Sequence, residues 1–272
     1  MNKIICGNCL DVLETLQEKS TDLVLTSPPY AEQRKNFYSS INESEYPDWT
    51  VKWMESCIPI LKPSGSVAII IRPHLSKGQI SDYVLKTRLA IREKGWFECE
   101  ELIWVKPNSP PLGSTKRPRR SWESILWFSR TPDPYCDPKS NGIHSDRIGM
   151  ESKKGVGEYK SGVSVAKSGI ARCRDYVECG TSGVDRDEGN KHPAQFPQKL
   201  AEWVIRLLSP ENGLIVDPFV GSGTTAAACV ETARNYIGID ISEEYCEYAR
   251  KRVFSQKLPQ TGIFDFDQKV AV

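Results

Sequence analysis

Two short segments of the 272-residue chain carry the residue types that can do chemistry. In Thr26-Ser27-Pro28-Pro29-Tyr30, directly after the apolar residues 23–25, two consecutive prolines have no N–H to donate and hold the chain in an extended turn. Their carbonyls therefore stay free as rigid acceptors. The Ser27 hydroxyl and the Pro28 carbonyl suit the two hydrogens of an exocyclic amino group, and Tyr30 offers a ring on which a planar base, turned out of its helix, can stack. The second segment is Asp217-Pro218-Phe219-Val220-Gly221-Ser222-Gly223-Thr224-Thr225. Gly221 and Gly223 permit a tight turn and a close ligand, and Asp240, 23 residues after Asp217, falls at the end of the next apolar run, where ribose hydroxyls are bound. The segment has neither the three-glycine dinucleotide spacing nor the lysine of a phosphate-binding loop. A ligand with a ribose and no phosphate fits it best.

Positioning these segments requires a βα framework. Apolar runs at 3–6, 23–26, 66–71, 101–106 and 121–129 alternate with helical patterns at 10–16, 50–61 and 81–94, the first helix of length closing at Lys62-Pro63-Ser64-Gly65. The same rhythm returns at the other end of the chain: a helix at 197–208, with Leu200, Ala201, Val204, Ile205 and Leu208 on one side, a strand at 214–216, the glycine turn, a helix at 225–232, a strand at 236–239 and a helix at 243–252. Between them, residues 142–183 hold eight glycines and no long aliphatic run, so 132–191 reads as an irregular insertion outside the sheet. A doubly wound α/β domain results, with 1–131 and 192–272 as its two halves around the insertion.

With 36 Lys+Arg against 35 Asp+Glu, a net charge of +1 excludes a highly basic packaging protein. The balance is uneven along the chain: residues 106–192 contain 16 basic and 11 acidic residues, a net +5, leaving 20 basic and 24 acidic elsewhere. That local surplus suits a nucleic-acid face. The amino-terminal stretch is unlike a secretory signal, and no apolar run approaches the roughly 20 residues needed to cross a bilayer; a cytoplasmic protein without a membrane partner is expected. Cys6 and Cys9 form a CxxC, but no second pair completes a zinc site, and no metal is expected. His74 and His144 have no sequence partner for a catalytic dyad, and Phe37 and Tyr38 lie in a polar stretch, 31–47, that reads as a surface loop or as a cover over the base.

Taken together and in this order, the motifs resemble those of the amino-group DNA methyltransferases that use S-adenosylmethionine, in the circularly permuted arrangement where the catalytic motif precedes the cofactor motif. Ser27 to Tyr30 match the catalytic motif, and its leading serine is similar to the cytosine-N4 branch more than to the adenine-N6 branch, which stays the alternative. Residues 217–225 match the cofactor motif, Asp240 the ribose position, and His192-Pro193-Ala194-Gln195-Phe196-Pro197 the wall over the methionine end of the cofactor. The resemblance implies a seven-stranded Rossmann-like sheet with one antiparallel strand. Ser27, Pro28, Pro29 and Tyr30 would be catalytic, and Asn8, His192, Pro193, Phe196, Asp217, Pro218, Phe219, Gly221, Ser222, Gly223, Thr224, Thr225 and Asp240 would hold the cofactor, which leaves as S-adenosylhomocysteine. It implies site-specific methylation of duplex DNA after base flipping, target recognition by 132–191, and a place in a restriction-modification system, with monomer or homodimer left open. A noncatalytic DNA-binding protein on the same fold is the distant rival. The chain departs from the family at Gly7-Asn8, where Gly-Asp is usual, so a neutral amide stands where a carboxylate is expected.

Overall fold

The computed structural model describes residues 2–32, 41–109, 115–144, 169–180 and 196–257. The amino-terminal half runs β1 (Lys3–Cys6), α1 (Cys9–Leu13), β2 (Thr21–Thr26), α2 (Tyr46–Cys57) and β3 (Leu61–Ile71). A two-residue ladder of β4 (Leu75–Ser76) and β5 (Gln79–Ile80) leads to α3 (Tyr83–Glu93), β6 (Phe97–Val105) and β7 (Trp122–Ser129). Short strands β8 (Ile143–His144), β9 (Ile170–Ala171) and β10 (Tyr176–Glu178) follow. The carboxyl-terminal half is α4 (Gln198–Leu208), β11 (Leu214–Asp217), α5 (Thr224–Glu231), β12 (Asn235–Asp240) and α6 (Glu243–Lys257).

One sheet unites the halves in the order β1-β12-β11-β2-β3-β7-β6-β10. Only β7 runs antiparallel to its neighbours there. Strand alternation buries both faces: Val24, Val67, Ile69 and Leu126 pack under the α1–α3 side, while Leu23, Leu25, Ala68 and Ile70 pack under α4 and α5. On α4 the expected stripe Leu200, Ala201, Val204, Ile205 and Leu208 is wholly buried, each large side chain contributing about 1.5 to 3 kcal/mol of transfer energy.

Strands β11 and β2 are far apart in sequence yet adjacent in space, with Ile215 level with Leu23 and Val216 level with Val24. From β11 the chain winds outward to β12, and from β2 it winds the opposite way to β3. Their junction is the switch point of the sheet, where the loops leaving two neighbouring carboxyl ends diverge and open a crevice.

Two expectations are corrected. Residues 62–65 do not close a helix: α2 already ends at Cys57, and Lys62-Pro63-Ser64-Gly65 form the start of β3, beside a register shift between Thr21 and Leu23. The irregularity accommodates Pro63, which cannot donate to a ladder, and a side chain at Gly65 would come within 2.9 Å of the Thr21 carbonyl oxygen. The insertion is not wholly outside the sheet, because β10 pairs with β6 as an eighth strand. Three residues are too few to show a period in sequence. Among the described residues, no helix is long and apolar enough to cross a membrane.

Candidate active site

The loops that carry the two motifs leave the sheet side by side at the switch point. Ser27, Pro29 and Tyr30 are half-buried and Pro28 is buried, so the turn presents one edge to the crevice. The Tyr30 hydroxyl donates to Glu123 Oε2 at 3.0 Å. Burial, with the Glu123 carboxylate beside it, pushes the Tyr30 phenol well above its ordinary pKa, which keeps it a donor.

Two carboxylates anchor the glycine turn. Asp217 Oδ1 accepts the Phe219 N–H at 3.1 Å, and Oδ2 accepts the Thr225 hydroxyl. Asp240 Oδ2 accepts the Gly221 N–H at 3.0 Å and Oδ1 the Ser242 N–H at 2.9 Å. Gly221 and Gly223 both hold positive φ, 48° and 80°, a conformation that costs other residues energy. A side chain at Gly223 would meet Ala249 of α6 at 2.9 Å, so this glycine serves helix packing as well as the turn. Arg252 donates to the Thr224 hydroxyl at 3.0 Å. Phe219 projects away to stack near Trp49 and Trp53 of α2, with ring centroids 5.3 and 5.6 Å apart.

Burial pushes the Asp217 carboxyl up to about 6 against the opposing pull of the Thr225 bond. An acid whose folded pKa is raised contributes stability below its unfolded pKa, near 3.9, and loses that contribution as pH rises through the folded value. Asp217→Asn keeps an acceptor for Phe219 and can donate to Thr225 Oγ1. The stability of Asp217→Asn relative to wild type is therefore expected to rise by roughly 2 to 3 kcal/mol between pH 4 and pH 7. Urea unfolding across that range checks it; a constant difference would show that Asp217 titrates as an ordinary carboxylate.

The other expected site residues are distributed unevenly. Asn8 is exposed and caps α1, its Oδ1 accepting the Leu10 N–H at 3.0 Å. An aspartate would do the same, so the departure from Gly-Asp leaves the local structure intact. Phe196 packs against the core beneath α4. His192 and Pro193, together with Phe37 and Tyr38, lie outside the described residues. His74 does find a partner: its Nε2 lies 2.5 Å from Glu43 Oε1, and nearby the Glu32 N–H donates to the Ile41 carbonyl at 3.0 Å. Sequence reasoning missed Glu123, which sits with Lys106 and Arg72 behind Tyr30. The available signal was a lone acid inside the apolar run of β7.

Comparison with known proteins settles the family. The DNA methylase family, covering N6 and N4 enzymes, matches residues 21–251. The chain belongs to this family. Among curated relatives, the type II methyltransferase M.PvuII of Proteus hauseri is 27% identical over 97% of this chain and 87% of its own length. M.HpaI of Haemophilus parainfluenzae is 28% identical over 93% of this chain and 74% of its own length. The solved structure of the cytosine-N4-specific PvuII DNA methyltransferase superposes with a TM-score of 0.73 at 27% identity, covering 93% of this chain and 86% of that one. A complex of M1.HpyAVI with SAM shares the fold at 23% identity and a TM-score of 0.62. This family member is thus an enzyme that methylates DNA, and the eight-stranded sheet is its methyltransferase fold.

Proposed function

We propose that the protein transfers a methyl group from S-adenosylmethionine to the N4 amino group of cytosine in a specific duplex sequence. The carrying observation is the convergence, at one switch point, of the Ser27-to-Tyr30 turn with a glycine turn clamped by Asp217 and Asp240. The donor set fits the cofactor: two carboxylates suit hydroxyl and ammonium donors and a sulfonium charge, and the Arg252 guanidinium is engaged with Thr224 and not turned to a diphosphate. S-adenosylmethionine, when bound, supplies the electrophilic methyl group. Asp217, Gly221, Gly223 and Asp240 shape its seat, with Pro218, Phe219, Ser222, Thr224 and Thr225 holding the turn. No step requires a metal.

Ser27 Oγ and the Pro28 carbonyl accept the amino hydrogens and draw nitrogen toward tetrahedral geometry, an interaction that strengthens in the transition state. Tyr30 stacks on the flipped base. The leading serine and the likeness to a cytosine-N4-specific enzyme favour cytosine. Mass spectrometry of nucleosides from DNA incubated with enzyme and cofactor should show N4-methylcytosine; N6-methyladenine as sole product would reassign the base, and neither product would leave only the binding-protein reading. The type II names of its relatives support a modification role beside a restriction nuclease.

The DNA face is assigned to two places. Arg117 and Arg119 are exposed between β6 and β7, bonded to the Gly78 and Ser109 carbonyls, and form no ion pair among the described residues. Arg72 and Arg120 stand close enough that burial and mutual repulsion lower the Arg120 pKa. This rim borders Glu123 and Tyr30 and suits phosphates beside the flipped nucleotide. Target reading belongs to 132–191, where Arg172 and Arg174 are exposed next to β10; Lys153, Lys154, Lys160 and Lys167 lie outside the described residues. Arg119→Gln is expected to weaken binding to all sequences alike and to reduce the salt slope by about 1, whereas Arg172→Ala should relax discrimination at one base pair. Titrations over a salt series on cognate and mismatched duplexes separate the two; a sequence-selective defect in Arg119→Gln would contradict the phosphate assignment.

A further inference from the structure

We infer that Glu123 is a positioning residue for the reaction: with Lys106 and Arg72 it fixes how far the Tyr30 ring reaches into the base pocket. The inference rests on the proposed stacking role of Tyr30. Glu123 and Lys106 are both 8% exposed. Lys106 Nζ donates to Glu123 Oε1, Arg72 Nη1 lies 3.7 Å from the same oxygen, and Oε2 is left for the Tyr30 hydroxyl at 3.0 Å. Lys106 is itself held, its ammonium 4.0 Å from the Trp104 ring centroid. Trp104 in turn donates to the Cys179 carbonyl at 2.9 Å, and Tyr83 donates to the Arg72 carbonyl at 2.7 Å. Each partner of the carboxylate is thus anchored in a different element, which leaves Glu123 little freedom to follow a moving ring.

Buried ion pairs are poor stabilisers, because desolvation offsets most of their attraction. An apolar pair of similar volume would hold β6 to β7 as well. What only the ionised pair provides is a fixed acceptor at the tip of Tyr30. A tyrosine hydroxyl lies on the axis of its ring, so a bond to it sets the direction of that axis and not the rotation about it. Packing sets the rotation. The clamp therefore controls the reach of the stacking face, and a base held at the wrong depth would present its amino nitrogen out of line with the methyl donor, a misplacement that lowers rate more than affinity.

The experiment uses the full chain and a duplex with 2-aminopurine beside the target base, measuring single-turnover methylation, DNA affinity, flipping fluorescence and urea unfolding. Tyr30→Phe keeps the stacking face and removes the bond; it should slow methylation about 10- to 150-fold, the range of one charge-assisted hydrogen bond, with DNA affinity within about 2-fold. Glu123→Gln should slow it comparably, and the double variant should be no slower than the slower single one, because both changes release the same ring. If Glu123→Gln fails to fold, Glu123→Gln with Lys106→Met removes both charges and replaces it in the cycle. Multiplying rate losses, or a loss in Glu123→Gln that tracks unfolding alone, would overturn the clamp. A full rate in Tyr30→Phe alongside a severe loss in Tyr30→Ala would also overturn it while sparing the stacking role; a full rate in both would overturn the stacking role itself.

Discussion

Asp240→Ala is expected to lower unfolding free energy by roughly 3 to 6 kcal/mol, since it removes a charged acceptor from two backbone donors at about 1.5 to 3 kcal/mol each. Burial raises the Asp240 pKa, its bonds to Ser242 and Gly221 opposing the rise, so the fold tolerates a desolvated charge in order to hold this corner. Gly221 sits at φ 48° with its N–H tied to Asp240 Oδ2, and among the described residues that N–H has no second acceptor. Cofactor affinity should fall with stability, by more than one lost ribose contact would explain. Asp240→Asn keeps an acceptor for one N–H and sets its own amide donor against the other, so it should recover about half the loss. Urea unfolding and calorimetric titration with S-adenosylmethionine on both variants decide the matter. Wild-type stability in Asp240→Ala would refute the clamp; reduced stability with undiminished affinity would move the cofactor elsewhere.

How much of this was legible beforehand depends on the length of the signal. The α4 stripe spans three turns, and its five apolar positions are all buried. The motif loops were legible because proline and glycine constrain the backbone whatever surrounds them. Partners far away in sequence were not: beside the ribose role expected of Asp240, its oxygens also hold Gly221 and Ser242. Likewise the close packing of Gly223 against Ala249 comes in addition to the ligand approach expected of that glycine. Periodicity shows which face a residue lies on but not what packs there. Glu123 was hidden for the same reason, since its meaning depends on Lys106 17 residues away and Tyr30 93 residues away. The eighth strand escaped because β10 has only three residues and is held by β6, with Ile103, Trp104 and Val105 opposite.

Tyr30→Ala is expected to be the most damaging single change to turnover. It removes a stacking face worth about 1 to 3 kcal/mol per base, and it leaves Glu123 Oε2 without the hydroxyl that it accepts. Both base capture and rate should fall, the rate by about 5- to 150-fold from stacking alone. Ser27→Ala should behave differently. Its hydroxyl meets the amino hydrogens most strongly as nitrogen changes geometry, so single-turnover rate should drop by roughly 1 to 3 kcal/mol, about 5- to 150-fold, while the DNA dissociation constant moves little. The contrast between the two variants carries the argument. A ring that only filled space would leave flipping fluorescence intact in Tyr30→Ala, and a serine that only closed the turn would lower stability and rate together. If Ser27→Ala keeps the full single-turnover rate, the Pro28 carbonyl alone suffices as acceptor, and the distinction drawn between a leading serine and a leading acid loses its chemical basis.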